Sequence, residues 1–186
     1  MRGQVDASIV VVASPSSGFS AAQLIHALSN WPGVRDLTLG ASDLQPLATA
    51  SLAGLTSLTV RQARLGGDGE PPPLWGFTIS SNLGATLRVH DVSGCFDLGF
   101  IEVLRSCVEL RCLCMPFCVS VSDLSPLAAC SETLEELWMA RSVVMSLAPL
   151  KACTRLRKLD LRGCHSDELY DQVEDLRLTC TQLAAP

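Results

Sequence analysis

Aromatic residues are scarce in this sequence. Only 5% of the 186 residues are Phe, Trp or Tyr although 48% are hydrophobic, so the apolar mass consists mostly of Leu, Val and Ala. Aliphatic side chains without large rings suit a fold that stacks many thin and similar layers. The composition therefore favours a repetitive architecture.

Clusters of positive charge and long apolar runs are also missing. The formal net charge is −5, and Lys and Arg never form a run. A nucleic-acid surface needs clustered cations to displace counterions from phosphates, so nucleic acid is not expected as a partner. The apolar run at residues 9–13 is too short for a signal peptide core or a membrane-spanning helix. We therefore expect no membrane partner either.

Cysteine, by contrast, is abundant, with nine residues in the chain. Small secreted disulfide scaffolds are short and carry an even number of cysteines. Neither Asn30 nor Asn82 begins a glycosylation sequon. These features predict reduced thiols in a cytoplasmic protein.

A nine-residue pattern recurs along the chain. In LRKLDLRGC, residues 156–164, steps one, four and six are apolar and step nine is Cys. LRCLCMPFC (110–118) repeats it, and LEELWMARS (134–142) ends in Ser. The frame begins at residues 34, 55, 87, 110, 134 and 156, so the successive spacings are 21, 32, 23, 24 and 22. One long unit aside, this matches the period of about 20–29 residues of leucine-rich repeats.

The segments between these units repeat as well. DLQPLATA (43–50), DLSPLAAC (123–130) and SLAPLKAC (146–153) are versions of one phrase. Over nearly its whole length the chain resembles the leucine-rich repeat family. Its Cys-bearing units are similar to the cysteine-containing subtype of F-box adaptors. The D-L-S-P-L phrase is similar to the short units of phosphatase-regulatory repeat proteins and to repeat proteins of kinetoplastids.

This resemblance implies an α/β fold, a leucine-rich repeat solenoid shaped as a curved horseshoe. Short parallel strands would line the concave face, and short helices, 3-10 turns and loops the convex face. We expect one domain over residues 1–186, with about six repeats and partial units at both ends, as a segment of a longer array. Residues 9–12 are interpreted as the strand of an earlier unit, and a helix is predicted just before Val34. The Gly-Pro stretch at 66–73 is interpreted as a tolerated surface insertion, with a binding loop as the alternative.

Within each unit, steps one, four and six should stack into a continuous core. Step nine should face inward, where a small polar side chain can satisfy backbone groups. Steps three and five should point out of the concave sheet.

A metal site is considered at Cys112 and Cys114 with Cys118 nearby. Zinc needs four converging ligands. Cys112 and Cys114 lie at outward steps, whereas Cys118 lies at step nine and should point inward. Free thiols are therefore favoured over a zinc or iron site, and no metal and no cofactor is predicted.

Catalysis is also disfavoured. His26, His90 and His165 lie in three different units, and His90 replaces a core Leu, so we interpret it as a hydrogen-bonded interior residue. No nucleophile–base pair, phosphate-binding loop or paired-carboxylate cleft is found in the sequence. The protein is not expected to be an enzyme.

The outward steps supply the candidate binding site. Trp138 is its most informative member, because an exposed indole in a ring-poor protein indicates that something covers it. The alternative is that Trp138 merely packs on its strand neighbours. The predicted partner-binding residues on the concave face are Trp138, Phe117, Arg141, Glu136, Lys158, Asp160, Arg162, Asp91 and Cys114.

The expected function is therefore a non-catalytic module that binds another protein, whose identity the sequence does not give. The alternatives are the substrate-recognition segment of a ubiquitin ligase of the F-box type and a phosphatase-regulatory subunit. A metal-dependent enzyme around Cys112 and a cell-surface recognition repeat are weaker alternatives.

Overall fold

A single parallel sheet organises the described part of the chain. The structure, a computed structural model, describes residues 12–13, 23, 26, 34–40, 54–61, 81–96, 98–164 and 167–183. Within these residues seven strands lie side by side in sequence order, and every neighbouring pair is parallel. The strands are β1 (Val12–Ala13), β2 (Asp36–Gly40), β3 (Ser57–Arg61), β4 (Val89–Asp91), β5 (Cys112–Cys114), β6 (Glu136–Trp138) and β7 (Lys158–Asp160).

The register of these strands confirms the repeat frame from β2 to β7. Residues at the same step pair directly across the sheet: Leu113 pairs with Leu137, and Leu137 pairs with Leu159. Because side chains alternate between the two faces of a strand, one register fixes which columns are buried. Step four faces the core, and steps three and five face away from it.

The core is a stack of aliphatic side chains. Leu58, Leu113 and Leu137 at step four are fully buried, as are Met115 and Met139 at step six. His90 replaces leucine in the same column, is 1% exposed, and places its Nδ1 atom 3.0 Å from the carbonyl oxygen of Leu58. The prediction of a hydrogen-bonded interior histidine is therefore confirmed. Burial lowers the pKa of His90, so the ring is neutral inside the protein.

The opposite side of the solenoid consists of short helices. In the part of the chain that the structure describes, three 3-10 helices connect successive strands: η1 (Glu102–Ser106), η2 (Ser125–Cys130) and η3 (Ala148–Ala152). In η2 and η3 a proline lies at the first helical turn, where its missing N–H leaves no hydrogen bond broken. Leu127 and Leu150, from the repeated linking phrase, are fully buried. The α-helices with both ends among the described residues are α1 (Ser81–Gly84) and α2 (Asp167–Thr179).

Step nine forms a hydrogen-bond ladder along the array. Its side chain donates to the carbonyl oxygen of the step-six residue in the preceding repeat. The four contacts are Cys95 to Val60 (3.6 Å), Cys118 to Val92 (3.3 Å), Ser142 to Met115 (2.9 Å) and Cys164 to Met139 (3.2 Å). The inward orientation predicted for step nine is confirmed, and the ladder explains why both Cys and Ser, which can donate a hydrogen bond, are found there.

The chain is therefore a leucine-rich repeat solenoid of α/β class. The linking phrase at 43–50, the loop at 66–73, residues 9–11 of the predicted first strand and His165 lie outside the described residues. Of the helix predicted before Val34, only Gln23 and His26 are described, and both are helical and exposed. None of the helices in the described ranges combines the length and the hydropathy that a membrane crossing requires.

Candidate functional site

The exposed face of the sheet carries two columns of side chains, one from step three and one from step five of each repeat. Step five reads Thr38, Thr59, Asp91, Cys114, Trp138 and Asp160, and each of these residues pairs with the next across the sheet. All six are partly exposed, while the step-four side chains between the two columns are buried in β2 to β6. The sheet thus presents Asp91, Cys114, Trp138 and Asp160 on one surface, as the sequence predicts.

Glu136, Trp138 and Lys158 form a connected group at the end of this surface. The indole Nε1–H of Trp138 donates to Oε2 of Glu136 at 3.2 Å, and Nζ of Lys158 donates to Oε1 of the same carboxylate at 2.7 Å. The ammonium nitrogen of Lys158 also lies 5.9 Å from the centre of the indole ring. The hydrogen bond from Lys158 holds the pKa of Glu136 below its ordinary value and raises the pKa of Lys158. The three side chains thus hold one another in a fixed arrangement on the surface, which we call the Trp138 cluster.

Asp160 and Arg162 form a second ion pair beside this cluster. Both guanidinium contacts are short, with Nε of Arg162 2.9 Å from Oδ1 and Nη2 2.8 Å from Oδ2 of Asp160. The hydrogen bonds from Arg162 lower the pKa of Asp160. Because 10% of the Asp160 side chain but 85% of the Arg162 side chain is exposed, a partner would meet the arginine and not the carboxylate.

Phe117 and Arg141 lie at step eight, in the turns that follow β5 and β6. Both have a positive φ, 62° and 56°, and the same step is glycine in two other repeats, Gly94 (75°) and Gly163 (74°). A residue with a Cβ atom in this left-handed region costs about 1–2 kcal/mol relative to glycine. Two successive repeats therefore carry backbone strain in order to present large side chains, which is typical of functional positions.

The two side chains contact each other. The guanidinium carbon of Arg141 lies 5.4 Å from the centre of the Phe117 ring. Gly163 leaves room for Arg141 on the other side, since a Cβ atom at Gly163 would lie 2.8 Å from Cγ of Arg141. The structure thus brings Phe117 and Arg141 together as a pair at the edge of the sheet face.

An apolar groove next to this pair was missed by the sequence analysis. It has a volume of about 700 Å³, and its lining includes Arg141 and the exposed side chains of Val119, Val143 and Met145. Met145 is 70% exposed and Val143 is 50% exposed. Val119, Val143 and Met145 come after step nine, outside the repeating nine-residue pattern. The only sequence signal for the groove is therefore that these residues are apolar although the pattern assigns them no place in the core.

A column of charge at step two was also missed. Arg35, Arg88, Arg111 and Arg157 occupy this step in four repeats, and Glu135 occupies it in a fifth. The Glu135 carboxylate lies 3.7 Å from Arg111 and 3.8 Å from Arg157. Residues more than 20 positions apart in the chain thus become neighbours, so the absence of a basic run does not exclude a charged column.

The candidate metal site is divided as the sequence predicts. Cys112 and Cys114 are partly exposed on the sheet face, whereas Cys118 is buried and donates to Val92 in the step-nine ladder. Burial raises the pKa of Cys118 to about 12, so its thiol is protonated at neutral pH. Across the described ranges, no group of three or more His, Cys, Asp or Glu side chains is arranged to hold a metal ion.

Comparison with known proteins gives a limited result. No protein-family model matches the chain. A search of curated proteins gives no match either. Among the solved structures, the crystal structure of an internalin from Listeria monocytogenes is similar to this chain, with 20% sequence identity and a TM-score of 0.44; the match covers 88% of this chain. The chain spans about half of that protein, 49% of its length.

Proposed function

We propose that this chain is a non-catalytic protein-interaction module, whose partner lies across the exposed sheet face. The observation that carries the proposal is the Trp138 cluster. It presents an indole, a cation and a carboxylate on strands β6 and β7, in an arrangement fixed by hydrogen bonds. Trp and Arg are the residues that most often dominate interface energies, and a side chain held in place loses little entropy on binding.

The Phe117–Arg141 pair extends the proposed interface to the edge of the sheet. Its left-handed backbone destabilises the fold locally, so the two large side chains need a compensating role. A partner that covers the Trp138 cluster and this pair would bury both cation–π contacts. Such contacts strengthen when water is removed from them.

We further propose that the protein works in the cytoplasm with reduced thiols. The thiols of Cys95, Cys118 and Cys164 donate to backbone carbonyls in the ladder, and a disulfide sulfur has no proton to donate. The narrower roles, in a ubiquitin ligase or in phosphatase regulation, stay predictions that rest on the sequences of the repeat units.

Affinity capture from a lysate of the native cell tests the proposed interface. The baits are the wild-type chain, Trp138→Ala and Lys151→Ala. Lys151 lies on η3, on the opposite side of the solenoid, and contacts Asp175 at 3.1 Å. The proposal predicts a protein retained by wild type and Lys151→Ala and lost by Trp138→Ala. Equal retention by all three baits would move the site away from the sheet face.

A further inference from the structure

Two of the nine cysteines differ from all the others. Cys112 and Cys114 are partly exposed on the sheet face, whereas the remaining seven are buried, with at most 8% exposure. Burial raises the pKa of several of these seven thiols, to about 12 for Cys130 and about 11 for Cys153. Thiol chemistry in the folded protein is therefore confined to Cys112 and Cys114.

The strand brings these two thiols together. Cys112 and Cys114 are two positions apart in β5, so their side chains lie on the same face. Their Sγ atoms are 3.8 Å apart. β4 and β6 flank β5 on both sides, which fixes the backbone that carries the pair.

The separation suits one shared metal ion. With metal–sulfur bonds of about 2.3 Å, two sulfurs 3.8 Å apart subtend an angle of roughly 110° at the metal. An angle of this size fits a centre with three or four ligands, so the positions beyond the two sulfurs are left to ligands from outside the chain. Zinc requires four ligands and iron–sulfur clusters require more cysteines, whereas soft thiolates also select Cu(I).

We propose that Cys112 and Cys114 form a binding site for Cu(I), with the third coordination position left to a ligand from outside the chain. Binding needs no oxidant or reductant. Two S–H bonds are lost, two Cu–S bonds form, and two protons pass to solvent while copper remains Cu(I). The sequence argument against zinc at this place is unaffected, because it concerned a site with four protein ligands.

Charged side chains of both signs lie beside the thiol pair. The Trp138 cluster lies beside the pair, with Oε2 of Glu136 4.0 Å from Sγ of Cys112. The ammonium group of Lys158 binds the same carboxylate and offsets its negative charge beside the thiols.

Titration with Cu(I) against the chelator bicinchoninate, under nitrogen and with a phosphine reductant, tests the proposal. Wild type should remove one equivalent of Cu(I) from the chelator. Cys112→Ser and Cys114→Ser should each weaken binding by more than about 100-fold, beyond the 10–100-fold typical of losing a residue outside the ligand set. Both positions are partly exposed, so we expect both variants to fold, which circular dichroism checks.

Cys164→Ala provides the matched control, since it also removes one thiol, but from the step-nine ladder. It should bind Cu(I) as wild type does. The proposal is overturned if wild type takes no Cu(I) from the chelator, or if either serine variant binds as tightly as wild type.

Phenylarsine oxide gives a second readout. Two neighbouring thiols replace its oxygen, which leaves as water, and the arsenic stays trivalent. Wild type and Cys164→Ala should each gain one phenylarsenic group in native mass spectrometry, and the two serine variants should gain none. An arsenic adduct without Cu(I) binding would show that the thiols are close together but do not form a copper site. The Cu(I) site shares the sheet face with the proposed protein interface, but the Cu(I) titration is done without a partner, so one proposal can fail without the other.

Discussion

The guanidinium group of Arg141 lies over the ring of Phe117, and the two residues occupy the same step of successive repeats. The distance from the guanidinium carbon to the ring centre is 5.4 Å. Both residues have left-handed backbone where two other repeats have glycine. The solenoid therefore accepts strain at two neighbouring positions, and the side chains gained there border the face proposed to bind a partner.

Alanine substitution at Gly94 and Gly163 should separate strain from packing. A Cβ atom at Gly94 meets no atom within 4 Å, so Gly94→Ala should cost only the left-handed strain, about 1–2 kcal/mol. Gly163→Ala should cost more, because its Cβ atom would lie 2.8 Å from Cγ of Arg141. In an Arg141→Ala background this excess should disappear. Urea denaturation of the single and double variants measures it, and an excess that survives loss of Arg141 would contradict the packing described.

Ser142 should be exchangeable with cysteine but not with alanine. Its hydroxyl is buried and donates to the carbonyl oxygen of Met115 at 2.9 Å. Ser142→Ala removes the donor and should lower the free energy of unfolding by about 1 kcal/mol. Ser142→Cys keeps a donor and matches the other repeats, so its effect should be clearly smaller. Urea denaturation compares the two variants, and equal destabilisation would show that the ladder contact contributes nothing.

Replacing His90 by leucine should remove one source of acid sensitivity. Since burial lowers the pKa of His90, the unfolded chain binds a proton at a higher pH than the folded chain does. The stability due to the neutral ring is complete above about pH 6.5 and is lost as the pH falls below it, by at most about 1.4 kcal/mol per pH unit. As the pH is lowered from 7.5 to 5.5, the free energy of unfolding measured in urea should therefore fall less for His90→Leu than for wild type. A difference between the two proteins that does not change with pH would contradict a neutral buried imidazole.

Adjacent residues in β6 should respond in opposite ways to aspartate. Leu137 is fully buried, and an unpaired carboxylate there costs several kcal/mol out of the roughly 5–15 kcal/mol that stabilise a domain. Leu137→Asp should thus unfold the chain. Trp138 faces solvent on the sheet surface, so Trp138→Asp should leave it folded. Circular dichroism and thermal denaturation decide the matter, and unfolding by both variants would refute the assignment of inside and outside.

Much of this arrangement was predictable because a strand has a period of two residues. Once the repeat frame places Leu113 and Leu137 at step four, Cys114 and Trp138 must face the other way. His90 could be recognised as an interior residue for the same reason. The step-nine ladder also follows from the frame, since Cys118 and its equivalents end each unit.

The other features of the site depend on backbone conformation and side-chain rotamers, which the repeat frame does not determine. The pairing of Phe117 with Arg141 requires a left-handed backbone at step eight, for which Gly94 and Gly163 were the only hint in the sequence. The bonds from Glu136 to Trp138 and Lys158 depend on side-chain rotamers. The groove at Val143 and Met145 lies in the irregular segment after step nine, where periodicity gives no information.

Calorimetric titration of the captured protein determines whether the exposed sheet face binds the partner. The partner would be titrated into wild type, Trp138→Ala and Lys151→Ala. We expect Trp138→Ala to weaken binding by at least about 2 kcal/mol, as the loss of an aromatic residue that anchors an interface does. Lys151→Ala should bind within about 0.5 kcal/mol of wild type, as a surface substitution away from the interface does. Wild-type affinity in Trp138→Ala would contradict the claim.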